Sequence, residues 1–385
     1  MRWFLLFIAP FLWTTIACYW DYDSLAMERA HFPDVHELIV GHFPRHSAAY
    51  YQWRIKDRLK IPEAERTPAT YDDLAVAYDK LGQHETAIQT IEQKLERWPD
   101  TGKYESLANL GTFYFHSGQL EAGLPYIQKA IEINPDAHFG REIYQQLLVQ
   151  YVLQQRAAGK SLPLADDATY RGFTGYVLEQ RGKEDSEEEK EIQAAVKGVA
   201  GMMRFGNYQS PILQEAMGDL LVTNHSPRRD SKMLAARCYL QAANYLSDRD
   251  QANAYREKAK AALDLQDGRE LEEIEQELVK ERNQAESFAV EIAAQEAVWI
   301  AADQDVDRLF QSRYYAAPEL VLEDPDKRFL SINTKIFFVA TIFLLFIFAV
   351  FLVGFYVLVR RIRKNLSKPS ATETAGATQP PTGLN

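Results

Sequence analysis

The chain has 385 residues, 46% of them hydrophobic and 25% charged, which allows a large core and two or three domains. This composition excludes a disordered chain, and a formal net charge of -11 argues against a nucleic-acid partner. Two cysteines, Cys18 and Cys238, supply neither a disulfide framework nor a cysteine-based metal motif.

Residues 1–17 combine one basic residue, Arg2, with an apolar run over 3–13 and the stretch Thr14-Thr15-Ile16-Ala17 before Cys18. The run is too short to span a bilayer, so this pattern predicts a secretory signal peptide. Thr15-Ile16-Ala17-Cys18 also resembles a bacterial lipobox, which makes Cys18 a candidate for lipidation. Simple cleavage after Ala17 is the other outcome, since Thr15 stands where Leu is usual.

Residues 18–67 read as an N-terminal helical cap. The segment 35–40, ending at Phe43-Pro44, has the pattern of a lone second helix of a helix pair. Residues 47–59 follow with an apolar stripe of Tyr50, Trp53, Ile55 and Leu59. Four of the eight histidines, His31, His36, His42 and His46, fall in this region. Pro33 and Pro44 break the helical spacing that would put two imidazoles on one face, so exposed helix-end histidines and no metal are expected.

An internal repeat then occupies 68–137. Tyr71, Leu74, Tyr78, Gly82, Ala87, Ile91 and Pro99 mark a first copy over 68–101, with Ala75 at a small position. Leu107, Leu110, Gly111, Tyr114, Gly118, Gly123, Ile127, Ala130 and Pro135 mark a second over 104–137. Small residues let paired helices approach, large ones fill between them, and the proline stops the second helix. The spacing resembles that of the tetratricopeptide-repeat superfamily, offset here by 36 residues because Gly102 and Lys103 are inserted. The resemblance implies a right-handed superhelix of antiparallel helix pairs, helix A then helix B, with a concave groove for a protein or peptide ligand. By their phase in helix A, Asp72, Asp79, Glu105, Asn109 and Phe113 are the candidate partner-binding residues.

Two repeats do not bury a stable core, so further helices are required. Residues 138–266 read as degenerate helices of the same kind. Ser186 and Glu189 suggest a capping box before a face of Ile192, Val196, Val199 and Met203. Met217, Gly218 and Leu221 pair with Ala235, Tyr239 and Ala242 as a diverged repeat, and Cys238 reads as a buried helix position. Within 267–312 a heptad phase runs from 271 to 309, with ten of twelve seam positions apolar and Glu281 and Gln295 polar. This predicts one helix of about 58 Å. Three uses are open to it: a homo-oligomer through 271–309, a helix folded back along the solenoid, or an ordinary capping helix, which the two polar seam positions and Trp299 suit.

After a linker at 313–335, residues 336–359 form an uncharged run that reaches roughly 36 Å as a helix, enough to cross a bilayer. Arg360, Arg361, Arg363 and Lys364 follow, which puts the C-terminus in the cytoplasm and the rest outside. Residues 360–385 form a basic, then disordered tail.

The expected fold is all-α: a solenoid, a long heptad helix and one C-terminal transmembrane helix. No phosphate-binding loop, dinucleotide fingerprint, nucleophile elbow or zinc motif occurs, so neither enzyme activity nor a cofactor is expected. The leading reading is a membrane-tethered scaffold outside the cytoplasm that assembles or positions an envelope complex. The alternative is a sensor or transport-linked subunit that couples ligand binding to the span.

Overall fold

Helix formation follows the local signals closely in the first repeat. Thr67 accepts from the Thr70 amide, Thr70 returns a bond to the Thr67 amide, and Pro68 occupies the first helical position. Such a start satisfies free amides that the first turn cannot bond internally. The computed structural model describes residues 34–165, 172–182, 186–223, 231–263, 268–314 and 356. Cys18, the signal region and all but Tyr356 of the span at 336–359 lie outside the described residues, as does the tail.

Helices α1 (Val35–Val40) and α2 (Ala48–Leu59) precede the repeats. The first repeat is α3 (Pro68–Lys80) with α4 (His84–Arg97), and the second is α5 (Lys103–His116) with α6 (Leu120–Ile133). Tyr71, Leu74, Ala75, Ala87 and Ile91 are buried between helices, as are Leu110 and Ile127. Gly82 and Gly118 end α3 and α5 with φ of 75° and 83°, a left-handed turn that costs glycine little.

In the second repeat α5 and α6 touch through glycines. A Cβ on Gly123 would lie 2.5 Å from the Phe115 ring and 2.7 Å from the Gly111 carbonyl oxygen. The ring can turn, but the carbonyl belongs to a helix. Gly123→Ala is therefore expected to destabilise the repeat by about 1–3 kcal/mol through overpacking, read as a lower Tm of the purified chain.

The chain continues through α7 (Arg141–Ala157), α8 (Phe173–Arg181), α9 (Glu188–Met202), α10 (Pro211–Val222), α11 (Lys232–Asn244) and α12 (Arg249–Ala262). The expected face of α9 is buried, although Ser186 does not cap it: the helix begins at Glu188 without a side-chain cap. A π-helical turn at Met203–Asn207 follows α9 and breaks at Gly206. The diverged repeat is present as α10 and α11, where a Cβ on Gly218 would collide with the Tyr239 ring at 2.5 Å. Met217, Leu221, Ala235, Cys238, Tyr239 and Ala242 are all buried there.

Two expectations are corrected. First, α1 does not sit beside the first repeat as part of a cap. All six of its residues are buried, and they share one core with α7 and with α9 to α12. The Gln214 and Gln241 side chains both donate to the Ile39 carbonyl, at 3.2 and 3.0 Å. Of these two N-terminal helices, it is α2 that packs on α3, where Arg54 and Arg58 hold Asp73.

Second, the heptad segment is two helices, α13 (Gly268–Ala301) and α14 (Val306–Tyr314). Asp303 takes φ of 48° between them, so α13 stops at 34 residues, about 51 Å. Its seam is used within the chain. Leu271, Ile274, Leu278 and Ala285 join the main core, while Ile292, Trp299 and Val306 join Tyr50 and Phe310. These seam residues are thus occupied by the helix's own chain, as a helix folded back along the solenoid requires. The polar seam residue Glu281 has its reason here: it accepts from Arg237 of α11.

The histidines expected at exposed helix ends instead face α13. His36 is fully buried, with Nε2 3.1 Å from Glu281 Oε2, and the buried His42 ring lies 4.9 Å from that of Phe288. His46 Nδ1 is 2.6 Å from Glu296 Oε1 and its ring stacks on Tyr50. His46 thus meets a carboxylate that lies 250 residues later in the chain, and His36 faces another across an ion-pair distance. His31 lies outside the described residues.

Candidate functional site

The helix A face of the two repeats is built by α3 and α5, and three of its five candidate residues are engaged internally. Asp72 receives Lys94 Nζ from α4 at 2.8 and 2.7 Å, with Lys94 almost fully buried. Burial still pushes the Asp72 carboxyl above its ordinary value, with Glu105 and Asp73 adding to the rise and Lys94 opposing it. Phe113 is not in the groove: it is buried with Ala75, Ile88, Ile91 and Leu110, because its position in α5 faces the first repeat. Glu105 is exposed and Asn109 half-exposed.

Asp79 stands near the end of α3 with its side chain only 4% exposed. His84 Nδ1, at the first residue of α4, lies 2.7 Å from Asp79 Oδ1. His116 Nδ1, at the last residue of α5, lies 2.8 Å from Asp79 Oδ2. Burial alone would raise the Asp79 pKa, but the hydrogen bonds from His116 and His84 outweigh it and hold the carboxyl below its ordinary value. The three side chains thus join both helices of the first repeat to helix A of the second.

Next to this group the chain covers its own helix A face. Lys80 Nζ donates to the carbonyls of Phe205 and Gly206, at 2.6 and 2.8 Å. Burial pushes the Lys80 ammonium below its ordinary value, and Asp79 opposes that shift. The Arg141 guanidinium lies 5.6 Å from the centre of the Phe205 ring, which is 64% exposed. The π-helical turn therefore occupies the C-terminal end of the face, and the open part is the N-terminal half around Glu105 and Asn109.

His84 and His116 were not among the residues that sequence singled out. Histidine density points to 31–46, whereas this group draws one aspartate and two single histidines from three helix ends. A usable signal exists in the repeat itself, since the 36-residue offset puts His116 at the helix A position that Lys80 holds in the first copy.

Comparison with known families agrees with the geometry. Residues 68–100 and 104–137 match the family described as tetratricopeptide repeat. These two helix pairs are tetratricopeptide repeats. No curated protein matches the chain. Among the described residues no helix is long and apolar enough to cross a membrane. Tetratricopeptide repeats generally present protein-binding faces, and here the solvent-open portion of that face carries Glu105 and Asn109.

Proposed function

We propose that the chain is a membrane-tethered scaffold outside the cytoplasm, which uses its tetratricopeptide repeats to hold another protein and so assemble or position an envelope complex. The observation that carries this reading is the solvent-open half of the helix A face, where Glu105 and Asn109 are accessible beside the Asp72–Lys94 pair. A basic segment of a partner suits it, since Asp73 and Glu105 both add negative potential at Asp72. The tether rests on the sequence: a signal-like start at 1–17, an apolar run at 336–359 and a basic flank after it.

Photo-crosslinking from position 109 of the full chain in cells tests the binding role. A discrete protein adduct is expected, and Glu105→Lys should suppress it. If the adduct is absent, or is indifferent to the charge reversal, the face is not the binding surface. A reporter fused after Asn385 tests the tether independently: activity in the cytoplasm is expected, and activity outside overturns the orientation.

A further inference from the structure

We propose that Asp79, His84 and His116 form a site for a divalent transition-metal ion of the zinc class, which staples the two tetratricopeptide repeats together. Among the described residues this is the one place where three potential ligand groups converge, with ligand atoms all within 4.8 Å of one another. Two imidazoles and one carboxylate make a donor set suited to zinc and its neighbours, and three protein ligands leave a fourth position of a tetrahedral ion open to water.

The ligands already converge and have room to adjust. Asp79 is nearly buried and offers one oxygen to each imidazole. Its neighbour Lys80 directs its ammonium away, to the carbonyls of Phe205 and Gly206. The two imidazoles are 28% and 29% exposed, so each can turn without disturbing a core. The carboxylate–imidazole separations are 2.7 and 2.8 Å, and a tetrahedral ion with bonds of roughly 2.0–2.1 Å needs them to open to about 3.3 Å. A shift of about half an ångström at side chains on helix ends is sufficient.

Occupancy has a mechanical consequence. His84 and Asp79 flank the turn between α3 and α4, and His116 ends α5, so an ion bridges the turn of one repeat to helix A of the next. Gly206 is close by, since a Cβ there would lie 3.8 Å from His116 Nε2. A bound ion therefore rigidifies the same end of the face that the π-helical turn covers. Neither the membrane span nor a protein partner is needed for this.

The test uses the full chain in detergent, stripped with a chelator and titrated with Zn2+ or Co2+. A single equivalent is expected to bind, with the visible d–d absorption of tetrahedral Co2+ and a rise in Tm with Zn2+. His84→Gln and His116→Gln should each weaken zinc binding about tenfold or more and abolish the rise in Tm. The absence of saturable binding, or an affinity in both variants equal to that of the unsubstituted chain, overturns the site and leaves a hydrogen-bonded clasp. In the unsubstituted chain, zinc should move the imidazole 15N resonances of His84 and His116. Shifts confined to other histidines overturn the assignment without recourse to any variant.

Discussion

Lys258→Met is expected to destabilise the C-terminal half of the solenoid by about 3–5 kcal/mol, the cost of breaking a buried ion pair from one side. Lys258 Nζ lies 2.8 Å from Glu215 Oε1 and 2.8 Å from Asp219 Oδ1, with all three side chains essentially buried. One ammonium thus serves two carboxylates. Burial works against its charge, but Asp219 and Glu215 outweigh burial and hold its pKa above the ordinary lysine value. Asp219 is pushed upward, chiefly by burial and also by Glu215, although Lys258 pulls it down.

The network also fastens a loop. Glu215 accepts from the amides of Leu164 and Ala165 and from the Tyr255 hydroxyl, and Asp219 accepts from the Phe173 amide and the Tyr239 hydroxyl. Without the ammonium, the Asp219 carboxylate is left beside Glu215 in a medium that favours its neutral form. The variant should therefore recover stability as the pH falls and one carboxyl takes a proton. Amide exchange at Leu164, Ala165 and Phe173 should accelerate more at pH 8 than at pH 5.5. Exchange that is unchanged, or pH-independent in its increase, would show that the methylene stem and not the charge matters.

Glu281→Gln carries the second large effect, about 3 kcal/mol, because it takes the charge opposite a fully buried guanidinium. Arg237 then keeps only Glu277, whose side chain is half in solvent. Burial raises the Glu281 pKa, but the charges of Arg237 and His36 outweigh it and hold the carboxyl far below the ordinary glutamate value of 4.5. A depressed carboxylate contributes stability above its unfolded value and loses it as the pH falls through the folded one. Acid should thus loosen the junction of α1, α11 and α13 progressively below pH 4.5. The Glu281→Gln chain should start less stable and show a flatter acid limb. If the two limbs have equal slopes, Glu281 is not the titrating group.

How far the sequence could be read differs between elements for physical reasons. The repeats at 68–137 were legible because their rules are local: Gly111 against Gly123, Pro99 and Pro135 after helix B, and left-handed Gly82 and Gly118 all act within one helix pair. The diverged pair Gly218 and Tyr239 was legible on the same ground. The candidate face was only partly so. Helix phase finds Asp72, Glu105 and Asn109, but it cannot tell Phe113 in the core from a residue in the groove, because α5 has neighbours on both sides.

By itself, then, the sequence determined the helical class, the limits of two tetratricopeptide repeats and the apolar seam of α13. Each of these is a pattern of spacing within a few turns of helix, where sterics and backbone hydrogen bonding leave few options. Only the tertiary structure decided that α1 enters the C-terminal core, that the seam of α13 closes on its own chain, and that Met203–Asn207 covers part of the helix A face. It alone brought His116 to Asp79 and Glu281 to Arg237. A buried charge must find its partner wherever the chain returns, and that partner is separated from it by tens to hundreds of residues that no local periodicity spans.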